Sequence, residues 1–182
     1  MARFVERRTG PLSYCPSRMR SQPNRNYVSN DDIPTPVPLA RALVEILRPE
    51  GRILEPCVGE GSFLLALPEG TEWCEIKRGR DFYEWCAPVD WIVTNPPWSQ
   101  MRRFLRHSFA IADHVAVLIT INHVWTRARL RDAREQGFGL KQIILVDTPA
   151  SFPQSGFQLG MVVYQRGYTG PIELFELRGQ WS

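Results

Sequence analysis

Asn95-Pro96-Pro97-Trp98 follows an apolar segment, Val89-Asp90-Trp91-Ile92-Val93-Thr94, and its residue types suit one task, the gripping of a flat amino group. An exocyclic aromatic amine is a poor nucleophile because its lone pair is delocalised into the ring. A site that alkylates such a nitrogen must draw it toward tetrahedral geometry, and two oxygen acceptors, one for each N–H, can do so. The Asn95 side-chain oxygen and the Pro96 backbone carbonyl are suited to that role, Pro96 and Pro97 restrict the backbone, and Trp98 offers a face on which a base can stack. Neither an acid nor a metal is required. The same four residues also read as a strand-ending turn with a packed aromatic, so the motif needs support from elsewhere in the chain.

That support lies upstream. Arg52-Ile53-Leu54-Glu55-Pro56-Cys57-Val58-Gly59-Glu60-Gly61-Ser62-Phe63-Leu64-Leu65 reads as a buried strand, a glycine turn and the first turn of a helix. Gly59 and Gly61 allow a ligand to approach the backbone closely, and a helix N-terminus beyond them favours anionic groups, which together make a nucleotide-type cofactor seat. No third glycine follows at the spacing of the dinucleotide fingerprint, which disfavours a pyrophosphate ligand.

Glu55-Pro56-Cys57-Val58-Gly59-Glu60-Gly61-Ser62-Phe63 followed by Asn95-Pro96-Pro97-Trp98 resembles the S-adenosylmethionine (SAM)-dependent amino methyltransferases, above all the N6-adenine DNA methyltransferases. Ile33-Pro34-Thr35-Pro36 is similar to their upstream Thr-Pro cofactor motif, so three motifs in the gamma-like order cover residues 33–98. The resemblance implies a Rossmann-like methyltransferase fold and SAM held by Thr35, Glu55, Pro56, Gly59, Gly61, Glu75, Asp81, Phe82 and Asn95. Within that set Glu75 meets the ribose hydroxyls, and Asp81 and Phe82 meet the cofactor's adenine. It further implies catalysis by Asn95, Pro96, Pro97 and Trp98 on the N6 amine of adenine in nucleic acid, DNA being favoured over RNA, with low sequence specificity. A target base in a duplex would flip out, and Phe157 or Phe152 in the loop 151–157 falls where the family often carries a second stacking aromatic. Only five residues separate Glu75 from Asp81, too few for the usual connecting helix, which predicts a trimmed sheet edge. About a dozen and a half residues follow the last hairpin, so no separate target-recognition domain is expected and a protein partner or a folded RNA would confer selection. Three other readings share parts of the pattern: a structured-RNA adenine methyltransferase, a protein-glutamine N5-methyltransferase, and an inactive cofactor-binding partner subunit.

The charge distribution favours nucleic acid among these. The net charge is only +3, but residues 1–30 carry six Arg against one Glu and residues 100–135 carry seven Arg against three acids. Twenty of the 22 basic residues are arginine, the side chain that forks onto phosphate and stacks on bases. Arg102 and Arg103, with Arg106, directly follow the tetrapeptide and are candidate phosphate contacts. Arg127, Arg129, Arg131 and Arg134 serve equally well as phosphate contacts or as a solvated helix face.

At 182 residues and 43% hydrophobic composition the chain suffices for one full core, so one domain over 33–182 is expected behind a basic arm, 1–32. No apolar run reaches the roughly 18 residues of a membrane span and no secretory signal is evident, so no membrane and a cytoplasmic residence are expected. Four widely spaced cysteines and three histidines indicate no metal site and suggest free thiols.

These residues need a scaffold, and the apolar periodicity supplies one. A helix is expected from Pro38 to Leu47, strands near 53–57, 71–76 and 89–94, a helix from Met101 to Ala112, and a strand from Val115 to Ile121. Gln142 to Val146 and Gly160 to Gln165, joined by a loop, should form an antiparallel hairpin at the edge of a mostly parallel twisted sheet, with Ile172 to Leu177 as a further strand. In such a sheet ligands sit beyond the carboxyl ends of the strands, where Gly59, Glu75, Asp81 and Asn95 all fall.

Overall fold

The computed structural model describes residues 31–154 and 156–181, so the greater part of the basic arm lies outside the described residues. The chain enters through helix α1 (Val37–Leu47), whose Leu39, Ala40, Leu43 and Leu47 recur at helical spacing and are buried. Arg48 then adopts a left-handed conformation with φ 44°, and Pro49 prevents the helix from continuing.

Seven strands make one sheet: β1 (Ile53–Glu55), β2 (Glu72–Trp73), β3 (Val89–Thr94), β4 (Ala112–Thr120), β5 (Phe138–Val146), β6 (Leu159–Arg166) and β7 (Glu173–Leu177), in the order β2-β1-β3-β4-β6-β5-β7. All neighbours run parallel except β6, which is antiparallel to both β4 and β5. Helices α2 (Met101–Ile111) and α3 (Arg127–Glu135) complete the set. This is the Rossmann-like methyltransferase fold, an α/β sheet of mostly parallel strands.

The central strand β4 shows why the sheet is covered on both faces. Val115, Val117 and Ile119 pack with Phe104, Leu105 and Phe109 of α2, whereas the alternating Ala116 and Leu118 pack with Leu39 and Leu43 of α1. A two-residue period splits one continuous apolar run between two cores, as expected of a strand buried on both sides.

Three expectations are corrected. The β5–β6 hairpin is antiparallel but does not form the edge, because β7 adds to β5 in parallel and lies outside it. The segment after Gly61 makes isolated turns instead of a helix, closed by Leu65 N–H to Gly61 O at 2.9 Å and Leu67 N–H to Phe63 O at 2.8 Å. Pro68 disfavours a helical conformation at the residue before it and leaves too little chain for more. Cys57 and Cys74 are free, but Cys86 is disulfide-bonded, since wide sequence spacing does not prevent the fold from bringing thiols together; Cys15 lies outside the described residues. The short Glu75–Asp81 connection holds a 3₁₀ turn, Ile76–Arg78, and a second turn, Phe82–Glu84, follows Asp81, which leaves the two-residue β2 as the sheet margin.

Candidate active site

The carboxyl ends of β1, β2 and β3 open into a cavity of about 680 Å³. Of the residues singled out in the sequence, Thr35, Glu55, Pro56, Gly59, Glu75, Asp81, Phe82, Asn95, Pro97 and Arg103 line it. Gly61, Pro96, Trp98, Arg102 and Phe157 do not.

Asn95 follows the last residue of β3, and its amide is held by the segment that precedes α1. Nδ2 donates to the Ile33 carbonyl at 3.0 Å and to Thr35 Oγ1 at 3.2 Å. A carbonyl can only accept, so the contact with Ile33 fixes which end of the amide is nitrogen. Oδ1 is thereby left with its lone pairs available. Trp98 takes a supporting position: Nε1 donates to the Leu118 carbonyl of β4 at 3.1 Å and its ring leans on the buried Phe152, centroids 6.2 Å apart.

One residue before Asn95, the buried Thr94 donates its hydroxyl to Glu55 Oε1 at 2.7 Å. Glu55 is 1% exposed, and Oε2 has no partner of good hydrogen-bond geometry. Burial pushes this carboxyl up to about 8, with the Thr94 hydroxyl and the Cys57 backbone offsetting only part of the desolvation.

The glycine turn is built around Glu75. Its Oε2 accepts from Gly59 N–H at 2.8 Å and its Oε1 from Lys77 N–H at 3.0 Å, so the carboxylate organises the turn it faces. Gly59 has φ 51°, and a Cβ there would meet nothing within 4 Å. The position therefore needs glycine for its backbone conformation and leaves the turn bare toward the cavity. Gly61, at φ 94°, serves the same turn through its N–H to Val58 O at 2.8 Å. Asp81 caps the following 3₁₀ turn by accepting from Tyr83 N–H at 2.9 Å, and Phe82 packs on Phe104 with centroids 4.8 Å apart.

The sequence placed Thr35 in a cofactor motif but did not disclose the strap that residues 31–35 form across the cavity rim. Asp31 accepts from the backbone and hydroxyl of Ser99, Asp32 pairs with Lys77, and Ile33 and Thr35 hold Asn95. The strap thus joins the β3 side of the cavity to the β2 side. The adjacent Asp31-Asp32 pair ahead of the Thr-Pro motif was a further signal.

Arg102 and Arg103, neighbours in sequence, part company. Arg102 forks onto Asp132 of α3, with Nε to Oδ2 at 2.6 Å and Nη2 to Oδ1 at 3.1 Å, and so ties the helices together. Arg103 lies over the Tyr83 ring, 3.7 Å from guanidinium carbon to centroid, at the cavity wall. Phe157 is 57% exposed and borders a separate hollow of about 220 Å³. Among the described residues no cluster of His, Cys, Asp and Glu could hold a metal ion, and no helix is long and apolar enough to cross a membrane.

No family model matches the sequence, and no curated protein matches it. Solved structures do. The chain is similar to a candidate RNA methyltransferase from Pyrococcus horikoshii, with a TM-score of 0.52 and 16% identity over 71% of this chain and 81% of that one. It is also similar to a candidate class I SAM-dependent methyltransferase from Listeria monocytogenes, with a TM-score of 0.54 and 11% identity over 83% and 68%. The type I restriction enzyme EcoKI M protein gives a TM-score of 0.55 and 14% identity, and the chain spans 74% of itself but only 44% of that protein's length. At these identities the likeness establishes the fold, that of the methyltransferases.

Proposed function

We propose that this chain is a SAM-dependent methyltransferase acting on the N6 amine of adenine in nucleic acid, with DNA the favoured substrate. The observation that carries the reading is the double anchoring of Asn95 Nδ2, which leaves the amide oxygen as the acceptor for one amine N–H. The Pro96 carbonyl is the second acceptor in this scheme. Drawing both N–H groups toward oxygens lowers the barrier through positioning and hydrogen bonding, without a general base.

The cavity suits the cofactor on one independent ground. SAM is cationic at its sulfur and its amino group, and the Glu55 carboxyl beside the cavity, held protonated at neutral pH by burial, is a group whose ionised form a nearby cation would favour. Gly59 admits close approach to the backbone, Glu75 and Asp81 are acceptors for hydroxyls and an amine, and Phe82 supplies an apolar wall. When bound, SAM supplies an electrophilic methyl group. Arg103 at the cavity wall and the exposed Arg106 one turn further along α2 are the phosphate contacts in this reading, and residues 1–32 act as a basic arm. Low sequence specificity belongs to this reading, with any further selection supplied by a protein partner or by a folded RNA.

The test is incubation with labelled SAM and, separately, duplex DNA, single-stranded DNA, structured RNA and a glutamine-bearing protein, with Asn95→Ala as control. Label in N6-methyladenine, lost in the control, is expected. Transfer to protein alone would replace this reading with glutamine methylation, and transfer to nothing would favour a cofactor-binding partner.

A further inference from the structure

Trp125 is 48% exposed, and the helix that begins two residues after it carries four arginines. It lies between the buried Val124 and Thr126, whose hydroxyl caps α3 by accepting from Arg129 N–H. The turn that carries it is held from two sides. Arg129 Nη1 donates to the His123 carbonyl at 2.9 Å, and Ile121 N–H donates to Gln158 O at 2.9 Å. An aromatic ring left half-exposed on a fixed turn forfeits burial that a Trp ordinarily gains, and its exposed part is open to contact.

Its place in the fold relates it to the cavity. The turn continues from the end of β4, the strand parallel and adjacent to β3, so Trp125 and Asn95 emerge at the same edge of the sheet. From Trp125, Arg127, Arg131 and Arg134 follow along α3 at i, i+4 and i+7, a single exposed stripe. The Arg102–Asp132 fork joins that helix to α2, whose Arg103 reaches the cavity wall. The other cluster of exposed apolar residues, Ile172, Leu174 and Phe175 by β7, has glutamates for neighbours and no such track.

We infer that Trp125 stacks on an unpaired base beside the target and that the substrate presents its adenine in single-stranded or looped form. The inference rests on the methyltransferase reading for the target and on the Trp–Arg surface for the rest. A stacking face beside a row of arginines is the pairing that binds single strands: phosphates track the cations while an open base covers the ring. Inside an undistorted duplex both faces of each base are already covered by its neighbours, so stacking on this ring there would first cost an unstacked step, which an open strand does not require.

The experiment uses the full chain and a labelled 12-nucleotide DNA containing one adenine, as a single strand and as a duplex, with binding read by anisotropy. Hairpins carrying the adenine in the loop or in the stem are then offered with SAM. The wild type should bind the single strand at least tenfold more tightly than the duplex and methylate the loop adenine faster than the stem adenine. Trp125→Ala should weaken single-strand binding about tenfold, the scale of one lost stacking contact, while Trp125→Phe stays within about threefold. SAM affinity by calorimetry should not change in either variant. Equal wild-type affinity for strand and duplex, or Trp125→Ala binding the single strand as the wild type does, would overturn the inference. Single-strand binding lost in Trp125→Ala, with no methyl transfer by the wild type to any nucleic acid, would instead overturn the proposed function and leave the stacking platform standing.

Discussion

The Thr94 hydroxyl donates to Glu55 Oε1 at 2.7 Å, tying the ends of β3 and β1 and leaving the other carboxyl oxygen buried beside the cavity. Burial lifts this group from its ordinary 4.5 to about 8 in the folded protein. Between those pH values the folded chain holds a proton that the unfolded chain has lost, so this group's contribution to stability falls as pH rises from about 5 to about 8. Thermal melts should show Tm declining across that window, and Glu55→Gln should remove the decline while keeping the Thr94 contact. Equal slopes in the two proteins would exclude Glu55 as the source.

The same group links pH to the cofactor. A cation beside Glu55 favours its ionised form, so SAM binding should release a proton near neutral pH and tighten as pH rises from 6 to 8. Calorimetry in buffers of different ionisation enthalpy reads that proton directly. Zero proton release would separate Glu55 from the cofactor.

Asn95→Ala removes the acceptor, and Asn95→Asp removes the donors that bond Ile33 O and Thr35 Oγ1. Both should lower kcat about 100-fold or more, the scale of one lost transition-state hydrogen bond, with SAM affinity within a few-fold of wild type. An Asn95→Ala enzyme of normal kcat would remove the amide from the chemistry.

Gly59→Val puts a β-branched residue at φ 51°, where no neighbouring atom lies within 4 Å of the new Cβ. Strain in that backbone region costs about 1–2 kcal/mol, a fall in Tm of about 2–8 °C for a chain of this size. Cofactor affinity should fall much further, since the new side chain occupies the turn's open face. Unchanged SAM affinity would place the cofactor elsewhere.

Arg102→Ala and Arg103→Ala should separate folding from binding. Arg102 neutralises the buried Asp132, so its loss should lower Tm, whereas Arg103→Ala should leave Tm nearly unchanged and weaken nucleic-acid binding with a shallower salt slope. Equal salt slopes for wild type and Arg103→Ala would remove Arg103 from the phosphate path.

Much of the scaffold was legible because it depends on local pattern. Strand 89–94 and the helix after Trp98 follow from apolar periodicity, and the antiparallel pairing of β5 and β6 follows from a connection lacking a helix. What escaped depends on remote partners. The position of β7 outside β5 is a long-range pairing with no local signature. Arg102 looks like its neighbour Arg103 until the inward face of α3 brings Asp132 against it. The strap at 31–35 joins residues 45 to 68 positions apart through single polar contacts, and such contacts leave no period in a sequence.

That strap bears on where the protein can be cut. Asn95 takes its direction from Ile33 and Thr35, which precede α1 by only a few residues. A fragment starting at α1 would retain all seven strands, yet the Asn95 carboxamide could rotate freely and offer nitrogen where the proposed reaction calls for oxygen. The smallest unit that keeps this group oriented therefore begins upstream of the first helix.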